Sequence, residues 1–477
     1  MSGTDYRAPR LLVDGEWRRG RSGRVLTVVN PADGQPLDAL ALASAQDLQD
    51  ILAASARGFE AWRQVPAPER CQRLERGVAR LRERSETIAR LLTLEQGKPL
   101  AEARMECAMA ADLVKWYAEE ARRTYGRIIP ARGPGSPMDA HKAPVGPVAA
   151  FTPWNFPLVL SARKLGGALA AGCSIVLKAA EETPASVAAM VECLAEELPP
   201  GALQLVYGVP DEVSQALVAS PVIRKLSFTG SVPVGRVLAQ RAAQHLKRIT
   251  LELGGHAPVI VCEDADLERA VPLLLAQKFR NAGQACLAPT RFFVARSRYG
   301  DFIDAFAQGL RALRVGDGMD PVTQMGPVAS ARRQSALRDL VGRSIAAGAR
   351  PVSAEAPSQG FFVAPTLLAD IPDHAPAMQE EPFGPLACAT AFDTLDEAIA
   401  RANANPYGLA GYLFTDSARA IQAVTERLEV GSLAINGIGV SVPEAPFGGV
   451  KDSGWGSESG IEGMEAFLES KFTHYTA

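Results

Sequence analysis

The sequence has little of several features that would mark a function by themselves. Its 477 residues include five histidines and seven cysteines, and the cysteines form no Cys-x-x-Cys pair. An odd and scattered set of cysteines argues against a disulfide framework or a zinc site, so we expect no metal and a reducing compartment. The formal net charge of −3 gives no reason to expect nucleic acid as a partner.

Long apolar runs and an apolar leader are missing as well. No run approaches the roughly 18 residues that are needed to cross a bilayer, so we expect no membrane partner. The opening segment, Met-Ser-Gly-Thr-Asp-Tyr-Arg, has no apolar signal region. These absences favour a cytoplasmic protein. The chain is longer than a single hydrophobic core usually supports, which predicts two or more domains.

The order of the apolar segments predicts the fold class. Apolar residues recur at three- and four-residue steps over residues 44–125, which predicts helices. Over residues 147–253 five apolar strands alternate with helices, and the alternation begins again after the glycine pair at 254–255. This order predicts an α/β fold with doubly wound parallel sheets. Thr183-Pro184 is expected to open one helix, with the threonine as its cap.

One cysteine lies in a segment that suits a nucleophile. Cys286 belongs to Phe279-Arg-Asn-Ala-Gly-Gln-Ala-Cys-Leu-Ala-Pro-Thr-Arg291. A lone cysteine is more often a small core residue. Here its neighbours are small and polar, Gly283 lets the backbone approach a ligand closely, and Pro289 ends any helix. A thiol on such a turn is reachable and can act as a nucleophile.

Two polar residues are candidates to work with the thiol. Glu252 ends a predicted strand between leucines, where a carboxylate is costly to bury unless it is used, and burial would raise its pKa toward that of a general base. The alternative is a glutamate on a sheet edge that faces water. Asn155 lies between two prolines and carries an amide that can stabilise an oxyanion. Asparagine is also common in turns for purely conformational reasons.

A cofactor site is indicated by two strand ends. Gly230 and Gly235 follow a predicted strand and open a helix, which presents backbone N–H groups to a phosphate, although a plain strand–turn–helix fits equally well. Lys178 ends a buried strand, and Glu181 follows three residues later, so either can bind ribose hydroxyls. A carboxylate there repels the extra phosphate of NADP, so NAD is expected. The alternative is that Glu181 merely precedes a helix.

Six motifs follow one another along almost the whole chain, namely Thr152-Pro-Trp-Asn-Phe-Pro157, Phe228-Thr-Gly-Ser231, Leu251-Glu-Leu-Gly-Gly255, Gly283-Gln-Ala-Cys286, Glu381-Pro-Phe-Gly-Pro385 and Pro446-Phe-Gly-Gly-Val-Lys451. Together they resemble the aldehyde dehydrogenase superfamily, and six motifs in register make the resemblance very specific. It implies an NAD-binding domain (1–125 and 143–253) and a catalytic domain (254–445). It also implies an oligomerisation arm with a C-terminal segment (126–142 and 446–477), and therefore a homodimer or homotetramer.

The resemblance also implies a role for each motif residue. Cys286 would be the nucleophile, Glu252 the base and Asn155 the oxyanion donor. The chemistry would be hydride transfer to NAD from a thiohemiacetal, then hydrolysis of a thioester. His256 departs from the Asn or Lys expected after the glycine pair, and we assign it no role. The residues implied for the cofactor are Thr152, Trp154, Lys178, Glu181, Gly230, Ser231, Glu381 and Phe383.

The expected substrate is an anionic semialdehyde. Arg163 and Arg280 flank the motifs, and two arginines converging on one thiol would select an aldehyde with an acid at its far end, although most arginines make surface ion pairs. Glu95-Gln-Gly-Lys-Pro-Leu-Ala and Lys278-Phe-Arg-Asn-Ala-Gly-Gln resemble the succinate-semialdehyde dehydrogenase branch. That likeness implies that both arginines and Ser441 bind the substrate carboxylate. Glutarate semialdehyde, 2-oxoglutarate semialdehyde and sulfolactaldehyde remain alternatives.

Two functions of other classes remain possible from the sequence. A cysteine hydrolase or acyltransferase could use Cys286 and Glu252 without redox chemistry, but it leaves the cofactor region unexplained. A structural or binding protein on the same fold would not need the intact set of Cys286, Glu252 and Asn155. Growth of NADH absorbance with an aldehyde separates the dehydrogenase from both.

Overall fold

The N-terminal part combines short strands with a layer of helices. The computed structural model describes residues 6–476. The helices bury the apolar stripe that the sequence predicts, so residues 44–125 are helical as expected. The strands are β1 (Leu11–Val13), β2 (Glu16–Arg18), β3 (Val25–Val29) and β4 (Pro36–Ala41), and the helices are α1 (Ala45–Trp62), α2 (Ala67–Glu83), α3 (Ser85–Gln96) and α4 (Leu100–Glu120).

Two strands of the small three-stranded sheet follow α4 in the chain. They are β5 (Arg127–Ile129) and β6 (Met138–Pro144). The alternating segment that follows contains β7 (Val148–Phe151), α5 (Pro157–Ala171), β8 (Ile175–Lys178), α6 (Pro184–Ala195), β9 (Leu203–Val206), α7 (Pro210–Ala219), β10 (Lys225–Thr229), α8 (Val232–Gln244) and β11 (Arg248–Glu252). Because the five strands are parallel, their carboxyl ends lie along one edge of the sheet.

A second wound sheet follows the glycine pair. Its elements up to β16 are β12 (Ala257–Val261), α9 (Leu267–Phe279), β13 (Pro289–Ala295), α10 (Arg296–Arg311), α11 (Ala331–Ala346), β14 (Arg350–Ser353), β15 (Thr366–Ala369), α12 (Pro376–Gln379) and β16 (Leu386–Phe392). The remaining elements are α13 (Leu395–Asn403), β17 (Ala410–Phe414), α14 (Ala418–Arg427) and β18 (Ser432–Ile435). The strand order is β14-β15-β16-β13-β12-β17-β18, with β14 antiparallel at one edge.

The C-terminal segment adds one strand to the first wound sheet and one strand to the small three-stranded sheet. Its elements are β19 (Gly454–Trp455), α15 (Gly460–Glu465) and β20 (Leu468–His474). β19 joins the edge of the first sheet, whose order is β19-β11-β10-β7-β8-β9-β1-β2, whereas β20 pairs with β6 in a three-stranded sheet. The predicted fold class, two wound α/β sheets with a small β arm, is confirmed, and the exact limits of the three parts remain predictions.

A carboxylate distant in the chain caps helix α6. Thr183 precedes α6 as predicted, but its side chain makes no capping bond. Instead, Glu95 on α3 accepts hydrogen bonds from the backbone N–H groups of Ala185 and Ser186 at 2.9 Å each. Thr183 thus holds the N-cap position as expected, but the expectation that its side chain caps the helix is wrong, because a buried carboxylate from another helix supplies the acceptor. Within residues 6–476, no helix combines the length and hydropathy needed to cross a bilayer.

Candidate active site

The thiol, the carboxylate and the amide lie around one cavity. Glu252 ends β11, Asn155 lies in the loop between β7 and α5, and Cys286 lies just before β13. All three line a cavity of about 230 Å³ between the two wound sheets. The Sγ atom of Cys286 lies 3.9 Å from Oε1 of Glu252. The structure therefore brings together the three residues that the sequence singled out, although they are far apart in the chain.

Unusual backbone conformations set the position of the thiol. Asn281, Ala282 and Gly283 adopt left-handed conformations, with φ values of 51°, 51° and 70°. A Cβ atom on Gly283 would lie 2.1 Å from the carbonyl oxygen of Gly384, so a larger residue there would displace the loop. Positive φ is costly for alanine, and such strain concentrates at functional sites. The segment before Cys286 is thus held in a conformation that its residues would not adopt alone.

Asn155 is fixed from both of its ends. Its Nδ2 donates to the carbonyl oxygen of Gln284 at 3.1 Å. Its own carbonyl oxygen accepts from Nζ of Lys98 at 2.8 Å and from Nδ2 of Asn281 at 2.9 Å. The buried Lys98 also forms an ion pair with Glu106, which accepts from the first N–H groups of α5. The sequence analysis assigned no role to Lys98 or Glu106, because only their contacts in the fold reveal one.

Burial makes the thiol a weak acid and the carboxylate a stronger base. Burial, with a smaller contribution from Glu252, raises the pKa of the Cys286 thiol well above its usual value, while Arg163 opposes this. Burial also raises the pKa of Glu252 to about 7, and the positive charge of Arg163 again opposes the shift. The resting thiol is therefore protonated at neutral pH, and a nearby base of suitable pKa is available to accept its proton.

A chain of buried polar groups continues behind Glu252. Oε2 of Glu252 accepts from the Thr229 hydroxyl at 3.0 Å, and Nζ of Lys164 donates to the same hydroxyl at 2.8 Å. Lys164 also forms an ion pair with Glu458. Burial opposes ionisation of Glu458, but Lys164 and Arg163 hold its pKa below the usual value. Sequence reasoning missed these residues; a lysine within the apolar helix α5 was the available signal.

Two arginines line the same cavity as the thiol. Arg163, on α5, donates through Nη2 to the Ser441 hydroxyl at 2.6 Å, and its Nη1 lies 3.6 Å from Oε1 of Glu252. Its guanidinium stacks 4.2 Å from the ring centroid of Phe447. Arg280 stacks at 5.1 Å from the ring of Phe156. The structure thus brings Arg163, Arg280 and Ser441 together at one cavity, as the sequence predicted, with an aromatic ring beside each guanidinium.

The first group of predicted cofactor residues lies along the carboxyl edge of the first sheet. The strand register pairs Phe151 with both Lys178 and Phe228, so the segments after β7, β8 and β10 start side by side. The N–H of Thr152 donates to the carbonyl oxygen of Lys178 at 3.2 Å. Nζ of Lys178 lies 2.6 Å from Oε2 of Glu181, whose Oε1 accepts from the N–H of Gly208 at 2.9 Å.

The second group connects this edge to the thiol. The N–H of Gly230 donates to the carbonyl oxygen of Glu252 at 3.1 Å, and Ser231 directly precedes α8. Oε1 of Glu381 accepts from the N–H of Gly255 at 3.0 Å. The remaining aromatic pair, Trp154 and Phe383, meets edge to face with ring centroids 5.6 Å apart.

Comparison with known proteins places the chain in a family. A model of the aldehyde dehydrogenase family matches residues 17–473. The chain belongs to this family. It is 75% identical over 477 residues to a 4-(hydroxymethyl)benzenesulfonate dehydrogenase of Comamonas testosteroni, with 100% of both chains covered. It is 40% identical over 466 residues to a succinate-semialdehyde dehydrogenase, NADP(+), of Escherichia coli (strain K12), with 97% of both chains covered.

A solved structure supports the same assignment. The betaine aldehyde dehydrogenase of Staphylococcus aureus in complex with NAD+ superposes with a TM-score of 0.95 at 32% identity, covering 98% of this chain and 95% of the other. The resemblance inferred from the six motifs is confirmed, and the protein is an aldehyde dehydrogenase. Its family uses a nicotinamide dinucleotide, NAD or NADP.

The residues predicted to bind the cofactor carry groups that fit such a dinucleotide. The start of α8, a helix of 13 residues, supplies unpaired N–H groups for a pyrophosphate after Gly230 and Ser231. Lys178 and Glu181 place a cation and a carboxylate at a strand end, where ribose hydroxyls bind in such sheets. Glu381 lies against Gly255, next to the thiol segment, because a Cβ on Gly255 would lie 2.3 Å from the carbonyl oxygen of Cys286. The donor set is therefore chemically appropriate.

His256 makes structural hydrogen bonds beside the second wound sheet. Its Nδ1 lies 2.7 Å from the Thr290 hydroxyl and its Nε2 lies 3.1 Å from the carbonyl oxygen of Ala377. Burial, with the nearby cations Arg291 and Lys278, lowers its pKa well below the usual value, so the ring is neutral. Over the described residues 6–476, no cluster of three or more His, Cys, Asp or Glu side chains is arranged to hold a metal ion.

Proposed function

We propose that this aldehyde dehydrogenase oxidises an aldehyde carrying a distal anionic group to the corresponding acid. The observation that carries the proposal is the meeting of Arg163, Arg280 and Ser441 with Cys286 at one cavity. Guanidinium groups bind carboxylates and sulfonates through paired N–H donors. Cations facing the same cavity select against uncharged aldehydes, because a neutral group would leave Arg280 without a counter-charge and would give Arg163 none beyond Glu252.

The proposed chemistry begins with the thiol. As Sγ of Cys286 bonds to the aldehyde carbon, Glu252 accepts the thiol proton, and the new oxyanion takes hydrogen bonds from Nδ2 of Asn155 and the backbone N–H of Cys286. A nicotinamide held at the predicted cofactor residues would supply the hydride acceptor for this carbon, and loss of the hydride would convert the adduct on Cys286 into a thioester. Glu252 passes the thiol proton to solvent and then accepts a second proton from the water that attacks the thioester. The carbon–sulfur bond breaks, the acid leaves, and the Cys286 sulfur regains a proton from Glu252.

The walls of the cavity favour an aromatic body for the substrate. Most of the cavity lining is apolar, and the rings of Phe156 and Phe447 lie beside the two guanidiniums. A dry cavity of about 150 Å³ is enough to bind benzene, and this cavity measures about 230 Å³. The relative from Comamonas testosteroni acts, by its name, on a benzenesulfonate that carries a hydroxymethyl group. We therefore propose 4-formylbenzenesulfonate, the aldehyde of that alcohol, as the preferred substrate.

Succinate semialdehyde remains the second candidate substrate. The same cations suit its carboxylate, and the relative from Escherichia coli acts on it by name. An aldehyde rather than an alcohol is proposed in both cases, because a thiol adds to a carbonyl carbon and not to an alcohol. The apolar walls favour the aromatic substrate, since a four-carbon chain fills less of the cavity.

Matched aldehyde pairs test the proposal. The kcat/KM of the purified enzyme would be measured by NADH or NADPH absorbance with 4-formylbenzenesulfonate against benzaldehyde, and with succinate semialdehyde against butanal. We expect each anionic member to exceed its neutral partner by about 100-fold or more, as two charge-assisted contacts would give. Equal values within both pairs would remove the anionic class. Release of acid from an activated ester, together with no nicotinamide reduction by any of the four aldehydes, would favour a hydrolase instead.

We also propose NAD as the preferred cofactor and a homodimer or homotetramer as the working assembly. Glu181, buried beside Lys178, supports NAD because its carboxylate opposes a ribose phosphate. Exposed apolar residues on α8 and on the outer strand β20 support self-association, namely Val234, Val237, Phe472 and the nearby Tyr475. The seven cysteines are all free thiols, which supports a reducing compartment such as the cytoplasm. Light scattering on the eluted protein tests the assembly, and a single subunit mass would refute it.

A further inference from the structure

The two arginines of the cavity differ in what they already contact. Arg163 lies 3.6 Å from Oε1 of Glu252, and its exposed fraction is 4%. Arg280 donates to the sulfur of Met109 at 3.5 Å, and within the described part of the chain no carboxylate lies within 4.0 Å of it. Arg280 is therefore an uncommitted cation, whereas Arg163 faces both the cavity and the base.

The charged groups around Glu252 come from three directions. Arg163 and Lys164 face it from α5, Glu458 from the segment before α15, and the Cys286 thiol from the loop before β13. Lys164 is engaged by Glu458 and reaches Glu252 only through a threonine hydroxyl. Of the cations facing the base, Arg163 alone lines the cavity that the substrate would enter.

We propose that the anionic group of the substrate and the carboxylate of Glu252 share the Arg163 guanidinium, so that an anion bound there makes Glu252 a stronger base. This inference rests on the proposed function, because it requires the anion to bind in the cavity. A second negative charge at the guanidinium draws its N–H groups and its field away from Oε1 of Glu252. In a buried site this loss of attraction is large, because the surroundings screen it weakly.

The sign of the effect follows from linkage. Arg163 opposes the rise in the pKa of Glu252, which burial brings to about 7. Engaging Arg163 with an anion therefore raises that pKa further, and the protein takes up protons when the anion binds near pH 7. By reciprocity, the anion binds more tightly at low pH, where protonated Glu252 no longer competes for the guanidinium. Its affinity falls as the pH rises through and above 7.

This coupling would make charge a determinant of kcat as well as of binding. At a pH above the raised pKa, where Glu252 is ionised even with the anion bound, the stronger base accepts a proton more readily from the water that attacks the thioester. With an uncharged aldehyde, Arg163 stays against Glu252 and keeps Glu252 a weaker base. The acyl group of that aldehyde is then hydrolysed more slowly. Discrimination against neutral aldehydes would therefore persist at saturating substrate, where affinity no longer matters.

Proton uptake by an unreactive anion tests the inference without turnover. Benzenesulfonate would be bound to the wild-type enzyme in a calorimeter at pH 7 in two buffers of different ionisation enthalpy, with neutral benzenesulfonamide as the matched control. We expect uptake of a measurable fraction of one proton with the anion and none with the neutral probe. We also expect benzenesulfonate to bind about 5-fold or more weakly at pH 8 than at pH 6. The thiol cannot be the acceptor, because its raised pKa keeps it protonated.

Three variants separate the possible outcomes. Glu252→Gln should abolish the proton uptake while benzenesulfonate still binds. Arg280→Gln should weaken benzenesulfonate binding but keep the proton uptake. Arg163→Lys should reduce the proton uptake. Retained dinucleotide binding checks that each variant is folded. Binding of benzenesulfonate with no proton uptake and no pH dependence would overturn the sharing of Arg163 while leaving the anionic substrate class intact. Equal affinity for both probes would overturn the anionic substrate class itself.

Discussion

The side of Cys286 that we propose for the cofactor and the side that we propose for the aldehyde arrange charge in different ways. On the cofactor side Lys178 and Glu181 are paired with each other at 2.6 Å, and Glu381 accepts a backbone N–H. On the aldehyde side Arg280 donates to the sulfur of Met109, a weak acceptor, and Arg163 lies 3.6 Å from the base. A dinucleotide would therefore exchange existing bonds, whereas a substrate anion would meet Arg280, which has no carboxylate within 4.0 Å among the described residues, and Arg163, which it would share with Glu252. We infer that the paired charges on the cofactor side contribute mainly to affinity for the dinucleotide, whereas the arginines on the aldehyde side mainly select the substrate.

The largest effect should come from the residue that both sides share. Cys286→Ala should lower kcat by about 10⁴-fold or more, because no thiohemiacetal can form, while the dinucleotide still binds. The measurement is NADH formation together with dinucleotide binding by fluorescence. Cys262→Ala, which removes a partly buried thiol outside the cavity, is the matched control and should keep full activity. Turnover in the Cys286 variant would show that the two sides do not meet at this thiol.

The next effect concerns the oxyanion. Asn155→Ala removes the amide donor from the cavity and should lower kcat by about 10²–10³-fold, as the loss of one such donor usually does. KM for the aldehyde should change much less, since the oxyanion exists only after the thiol has added. Steady-state kinetics with both substrates of a matched pair measure this. A loss confined to KM would place Asn155 among the groups that bind substrate in the ground state.

Lys98 is a buried charge that we expect to contact neither the dinucleotide nor the aldehyde. It binds the Asn155 carbonyl oxygen and the Glu106 carboxylate at 0% exposed side-chain area, so we expect it to position the oxyanion donor. Lys98→Met should lower kcat by about 10- to 100-fold with little change in KM, because small displacements of a catalytic group are costly. The rate should be expressed per active site, counted from the initial burst of NADH.

A control guards against simple unfolding. Removing one partner of a buried ion pair commonly costs about 3–5 kcal/mol, so Lys98→Met should be compared with the double variant that also carries Glu106→Gln, in which no buried charge is left alone. If the double variant is stable and fully active, Lys98 contributes to folding and not to the position of Asn155.

Comparing the sequence-based expectations with the structure shows which features of the fold can be predicted from local sequence. The alternation of apolar strands and helices specified both wound sheets, because strand and helix periodicities are local. The Cys286 segment and Glu252 stood out because small or charged residues interrupt apolar surroundings. Lys98 did not stand out, since its partners Glu106 and Asn155 are 8 and 57 residues away in the chain. Such pairs become visible only when the fold places them together.

Helix capping gives the same lesson in smaller form. The local rule chose Thr183 for α6, a reasonable choice because threonine often accepts the first N–H groups. The fold instead brings Glu95 to that helix end, where its carboxylate also accepts from the hydroxyl groups of Ser186 and Tyr6. A charged acceptor at a helix N-terminus is stronger than a neutral hydroxyl. Local sequence rules fail where a distant residue offers the better partner.

The smallest expected effect lies on the cofactor side and tests whether its paired charges set the choice of dinucleotide. Glu181→Gln keeps the size of the side chain and an oxygen acceptor for the Gly208 N–H, but removes the negative charge that opposes a ribose phosphate. We expect the ratio of kcat/KM for NAD over NADP to fall by about 10-fold, equivalent to about 1.4 kcal/mol. Most of the change should appear in KM for NADP, because the charge acts on binding and lies away from the reacting carbon. An unchanged ratio would mean that the partner of Glu181, Lys178, neutralises it so fully that the choice of dinucleotide is made elsewhere.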